Sequence, residues 1–234
     1  MFPRLISRVV KPLRQRLWRA SEAEYRRLEQ MMGFSGQYKA HRAMQMQLLL
    51  QQGVRPDCRV LEIGCGPLTL GIPLITYLTP GGYTGIDVRP AVVSEAKSLI
   101  VKQGLTEKLP RVLVSTSFGE QELTEENFDA IVAFSVLYHL EDDMVTRLLL
   151  QVGRRLASNA AFYANVNTEH SPSRWLEFPF VQRPLSFYSA LARASQLEMT
   201  VLGKGHELGI PDGDVSGRNF YLRFAKLTDT AVGV

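Results

Sequence analysis

Three positions carry residue types whose spacing points to chemistry. The first is Val60-Leu61-Glu62-Ile63-Gly64-Cys65-Gly66-Pro67, which reads as a buried strand ending in an acid and opening into a glycine turn. A helix should follow at once, through Thr69 to Leu78. Glycine permits positive φ and lacks the Cβ that would hold a ligand off the backbone. Strand, glycine turn and helix form the common plan for nucleotide-like ligands. A dinucleotide fingerprint needs G-x-G-x-x-G, whereas Gly64 and Gly66 are followed by Leu68-Thr69-Leu70-Gly71, which misses it. Glu62 stands two residues before the first glycine, at the mouth of the turn. It would repel a pyrophosphate and attract a ligand carrying an ammonium and a sulfonium. The second position is Asp87, which ends the next strand, Tyr83-Thr84-Gly85-Ile86-Asp87, about twenty residues beyond Gly66. An acid there accepts ribose hydroxyls. A helix cap ahead of Pro90 is the plainer alternative, and the Gly-Ile-Asp ending with the spacing favours ribose. The third is His139, just past a later apolar strand, with an ordinary pKa close to neutral. It suits a general base, or it only caps the next helix or packs beneath a ligand.

Glu-x-Gly-x-Gly, with Asp87 at its distance, resembles the first motifs of the class I S-adenosylmethionine (SAM) dependent methyltransferases. The resemblance implies a cofactor, SAM, held by Glu62, Gly64, Cys65 and Gly66 in the turn and by Asp87 and the adjoining Val88 at the ribose. Thr116-Ser117-Phe118 is similar to the family's adenine-contacting segment. The usual acid for the adenine amino group is missing there, so Ser117 would substitute through its hydroxyl and Phe118 would pack on the base. Val136-Leu137-Tyr138-His139-Leu140 resembles the fourth motif of small-molecule methyltransferases, in which backbone near Phe134 and Ser135 faces the methionine part. The implied reaction is displacement at the sulfonium methyl, with the protein aligning the reactants and excluding water. A hydroxyl or protonated amine acceptor needs a base. His139 is the first candidate, ahead of His170 and His206 in neighbouring loops.

The elements that must position these residues follow from periodicity. Phe128 to Ser135 is nearly all apolar, as a central parallel strand should be. Further strands are expected at Arg111–Ser115, Ala160–Val166, Thr200–Leu202 and Asn219–Ala225, the last two as an antiparallel hairpin. Helices are expected at Pro90–Gln103, Glu141–Leu156 and Ser186–Gln196. Pro73 must fall in the first turn of the helix after the glycine turn, where no donor is missed. This alternation predicts an α/β fold: a seven-stranded, mostly parallel sheet flanked by helices, with right-handed crossovers. The resemblance covers about three quarters of the chain. It implies a SAM-binding domain over residues 54–234 behind an N-terminal helical extension or lid over 1–53.

In that extension, two helices are expected around Gly33-Phe34-Ser35-Gly36, the second from Gln37 to Gln52. Tyr38, His41 and Arg42 have the reach to touch a cofactor carboxylate, though a solvated helix face is the ordinary reading. Residues 1–20 hold Arg4, Arg8, Lys11, Arg14, Arg16 and Arg19 before the first acid, Glu22. Three readings stand for them: a packed helix, a helix on an anionic membrane surface, or a targeting or disordered arm. Without those six residues the net charge of +4 becomes about neutral or slightly acidic. A nucleic-acid substrate is therefore disfavoured.

With 234 residues, 45% apolar and 21% charged, the chain suits one globular α/β domain. Its two cysteines make no disulfide framework, so a reducing, cytoplasmic setting is expected. The sequence shows no secretory h-region and no metal-ligand spacing. Substrate choice should lie in the connections Asn167–Pro184 (His170, Arg174, Trp175, Phe178 to Phe180) and Gly203–Gly217 (His206, Asp212). The partner they suit is a mid-sized organic acceptor, methylated at oxygen or nitrogen. The alternatives are a lipid or quinone-like acceptor at a membrane surface, and a non-catalytic SAM-binding scaffold.

Overall fold

A computed structural model describes residues 26–28, 30, 38–124, 126–169, 174–175, 178–210 and 215–227. The readings of residues 1–20, the Gly33–Gly36 link, His170 and Asp212 lie outside the described residues, as do the side chains of Tyr38, Arg174 and Trp175.

Nine strands and five α-helices are described. The main sheet runs in the order β3 (Arg111–Val114), β2 (Tyr83–Asp87), β1 (Val60–Ile63), β4 (Phe128–Ala133), β5 (Leu156–Val166), β9 (Phe220–Lys226), β8 (Leu197–Lys204). The pairs from β3 through β5 are parallel. β9 is antiparallel to both of its neighbours, β5 and β8. This is the seven-stranded, mostly parallel sheet of the Rossmann-like methyltransferase fold, with its antiparallel hairpin at the end.

Period-2 alternation divides the sheet residues between two cores. Val60, Ala130, Val132 and Tyr163 face one side, against α1 (Tyr38–Gln51), α2 (Gly71–Tyr77) and α3 (Pro90–Lys102). Leu61, Ile131, Phe162 and Leu222 face the other, against α4 (Asp142–Arg155) and α5 (Leu185–Ala194). α4 buries Val145, Leu148, Leu149 and Val152, the i, i+3, i+4, i+7 stripe of a core-facing helix. Its first turn carries Asp142 and Asp143 and its last turn Arg154 and Arg155, each sign suited to its end of the helix dipole. Pro73 is the third residue of α2, inside the first turn as its chemistry requires.

The structure departs from the sequence reading in three places. β5 begins at Leu156, directly after α4, because Phe128 pairs with Leu156 ahead of a bulge. A small second sheet, β6 (Arg174–Trp175) with β7 (Phe178–Pro179), stands in the connection before α5. His41 and Arg42 are buried in α1, not on a solvated face.

Candidate active site

The glycine turn lies at the carboxyl ends of the parallel strands, where open α/β sheets bind ligands. Its shape is fixed by conformation and by space. Gly64 and Gly66 have φ of 71° and 53°. A Cβ on Gly64 would stand 2.6 Å from Cγ2 of Val136, so the turn packs against the segment after β4. Gly64 and Cys65 donate their N–H groups to the Ile86 carbonyl at 2.8 and 3.0 Å. The Cys65 side chain is buried near Gly85, and burial with the nearby Glu62 and Asp87 pushes its thiol well up. Cys65 therefore presents no thiolate to a ligand.

Glu62 is not the open carboxylate that its place in the sequence implies. The Tyr83 hydroxyl donates to its Oε2 at 2.6 Å, and both groups are buried. Burial pushes the carboxyl up to about 8 against the hydrogen bond from Tyr83, and Asp87 adds to the rise. Without a cation beside it, Glu62 is therefore mostly protonated at neutral pH.

Asp87 is buried at the end of β2 and holds the turn together. Its Oδ2 accepts from the Gly66 N–H at 3.0 Å. Its Oδ1 accepts from the Arg89 N–H at 2.9 Å and from Arg89 Nε at 3.2 Å. A carboxylate has about four acceptor positions, so two ribose hydroxyls would require Arg89 Nε to withdraw. Val88, next along, is 44% exposed.

The segment after β3 is organised from behind. The Ser115 hydroxyl accepts from the N–H of Ser117 at 3.3 Å and of Gly119 at 2.9 Å, and donates to Glu122 at 2.8 Å. Arg155 donates to the Gly119 carbonyl at 2.8 Å and also pairs with Gln151. Phe118 takes a left-handed φ of 55° within this loop. The Ser117 hydroxyl is buried and makes no hydrogen bond among the described residues. Neither does the buried Thr69 hydroxyl on the glycine turn. Two unsatisfied hydroxyls, one on each loop, fit a nucleoside-bearing cofactor laid between them.

Past β4, Ser135 has φ 59° and donates its N–H to Oδ1 of Asn165 on β5, at 2.5 Å. Phe134 meets Tyr221 of β9 edge to face, centroids 5.4 Å apart. His139 lies in a short 3₁₀ turn, Leu137–His139, and its Nδ1 is 2.9 Å from the Pro179 carbonyl. A carbonyl only accepts, so Nδ1 carries the hydrogen and the ring lone pair is on Nε2. Burial lowers the pKa of His139, Arg89 adds to the fall, and the bond to Pro179 opposes it. Tyr138 and Phe180 stack at 5.0 Å, Phe180 meets the His139 ring edge to face at 4.7 Å, and the Arg89 guanidinium lies 5.7 Å over Phe178. The β6–β7 hairpin thus closes one side of the histidine. His206 lies elsewhere, with Nδ1 2.9 Å from the Gly217 carbonyl, as a pin within its own loop.

Glu62, Gly64, Cys65, Gly66 and Asp87 therefore converge through direct contacts, and Phe134, Ser135 and His139 follow from β4 beside them. Sequence reasoning missed Tyr83, Arg89, Ser115 and Asn165. Arg89 alone left a local signal, a cation two residues beyond an acid. The others act on residues distant in the chain.

A family model described as a methyltransferase domain matches residues 61–162. A sterol 24-C-methyltransferase, ERG6B, of Gibberella zeae is 30% identical over 89 residues, which are 37% of this chain and 22% of that protein. The chain thus matches less than a quarter of its curated relative. A SAM-dependent methyltransferase of Clostridium acetobutylicum superposes with a TM-score of 0.65 at 13% identity, covering 88% of this chain and 98% of the other. Magnesium protoporphyrin IX methyltransferase of Synechocystis, solved with SAM bound, gives 0.62 at 15% identity, covering 88% and 92%.

Proposed function

We propose, from the match of residues 61–162 to a methyltransferase domain and from the fold, that this chain is a class I, SAM-dependent methyltransferase acting on an oxygen or nitrogen of a small organic molecule, with His139 as the base. Bound SAM supplies an activated methyl group on a positively charged sulfur. Gly64, Cys65 and Gly66 would receive it along the backbone, Asp87 at the ribose, and Ser117 with Phe118 at the adenine. Val88, exposed next to Asp87, would border the ribose, and backbone at Phe134 and Ser135 would face the methionine part.

The single observation that carries the role of His139 is its bond to the Pro179 carbonyl. That bond fixes the tautomer and aims Nε2 as a proton acceptor. The lowered pKa keeps the ring neutral at neutral pH, so the base is ready without prior deprotonation. An acceptor O–H or N–H held against Nε2 would pass its proton there as it takes the methyl group and the carbon–sulfur bond of the sulfonium breaks. Buried walls on both faces of the sheet and the β6–β7 hairpin limit water, which would otherwise compete for the same geometry.

The test combines turnover with binding. Labelled SAM and metabolite fractions from the source cell should yield a labelled small molecule. His139→Ala should lower turnover roughly 10²–10⁴-fold and leave SAM affinity nearly intact by calorimetry. In the parent, turnover should fall with acid only below pH 6.5, the ordinary histidine value. A full-rate variant, or the same acid limb in the variant, would return His139 to a packing role.

A further inference from the structure

We propose that Asn165 and Asn219 recognise the methyl acceptor, and that this acceptor is a neutral molecule with an apolar body carrying one carbonyl-type oxygen and one O–H or N–H group. The proposal rests on reading the chain as a methyltransferase.

Both asparagines lie at the carboxyl edge of the sheet and are almost fully buried, at 0% and 2% exposure. Asn165 is the next-to-last residue of β5, and its register partner on β9 is Tyr221. Asn219 stands two residues before Tyr221, so strand alternation points it to the same face. On opposed strands such diagonal neighbours are about 7–8 Å apart. This face carries Tyr221, packed with Met44 and Leu48 of α1 and with Ile210. Phe134 leans against the same cluster, and it leads into Ser135.

Asn165 Oδ1 is committed to the Ser135 N–H, which fixes the orientation of the amide. Its Nδ2 then has no partner among the described residues. Oδ1 of Asn219 also has none. Buried amide groups normally find partners, and exceptions call for an explanation. Here one donor and one acceptor are left over, side by side on one wall, next to the segment assigned to the cofactor's methionine part. An acceptor that satisfies both must offer an oxygen to Asn165 and a hydrogen to Asn219. The two amides carry no charge and this face is otherwise largely apolar, its further polar groups being the Tyr221 hydroxyl and the buried His41, three residues before Met44 on α1, so an uncharged ligand with an apolar body fits. Arg42 lies on the adjacent stripe of α1 with Met46 and Leu49, which pack in a different core.

The test uses the full chain saturated with S-adenosylhomocysteine and two matched probes, 2-hydroxybenzamide and the anion 2-hydroxybenzoate, followed by ligand-observed NMR. The amide should bind at least tenfold more tightly than the anion. Asn165→Asp keeps an oxygen for Ser135 and loses the N–H donor. Asn219→Leu loses the other partner and tests the wall if the first variant does not fold. Each should weaken the amide at least tenfold while S-adenosylhomocysteine affinity stays within threefold. Equal binding of amide and anion, no binding of the amide, or unchanged amide binding in a folded variant would overturn the proposal. Failure of the parent chain to bind S-adenosylhomocysteine is a separate result, against the methyltransferase reading itself.

Discussion

Glu62 shows how one residue type can be legible while its state is not. The acid before the glycines is plain in the sequence, and its type alone would make it a charge. Its protonation is set by burial in the folded sheet, which the hydrogen bond from Tyr83, twenty-one residues away and adjacent through β1–β2 pairing, only partly opposes. The folded chain holds the Glu62 proton more tightly than the unfolded chain does. The stability this contributes is complete below about 4.5 and is lost as pH rises through about 8. Glu62→Gln should therefore flatten the fall in urea-unfolding stability between those values. A cation bound beside Glu62 would favour the ionised form. SAM uptake at pH 7 should then release up to one proton, seen as a buffer-dependent enthalpy in calorimetry that the glutamine variant lacks. A parent enthalpy independent of buffer would remove Glu62 from charge recognition.

Among elements, the glycine turn carries the clearest dependence of site on local backbone. Gly64 meets two demands at once, a left-handed φ and a side-chain-free approach to Val136. Gly64→Ala should cost about 1–3 kcal/mol, the usual range for a strained backbone position. Adding Val136→Ala should recover the steric share and leave the conformational one. Full recovery in urea unfolding would mean that φ contributes nothing. Central strands β1 and β4 were legible because burial on both faces demands apolar runs. The start of β5 was not, since Ala157-Ser158-Asn159 has no apolar alternation and lies in the register shift between the Phe128–Leu156 and Ala130–Ala161 pairs. The β6–β7 hairpin has two residues a side, too few to show a period. Its effect on His139 runs through a backbone carbonyl, which leaves no mark in side-chain type.

At the scale of the whole molecule, the candidate site joins parts that no single element holds. α1 contributes Leu49 to the core with Val60, and Leu48 to the cluster around Tyr221. A ligand lodged between these layers stabilises the folded chain by mass action. S-adenosylhomocysteine at 100 times its dissociation constant should add about 2.7 kcal/mol to unfolding stability. Urea titration with and without the ligand checks this, and an unchanged midpoint would mean that the folded chain does not bind it in preference to the unfolded one. No helix among the described residues is long and apolar enough to cross a membrane.

The position of β9 sets an order of assembly. Among the described strands it is made last, yet it lies between β5 and β8, both made earlier. While the ribosome is still extending the chain, β5 keeps an open edge, a template for pairing with a neighbouring nascent chain. Only when Phe220–Lys226 emerges can that seam close, and Asn219 and Tyr221 arrive with it. Substrate recognition on this wall thus waits for β9.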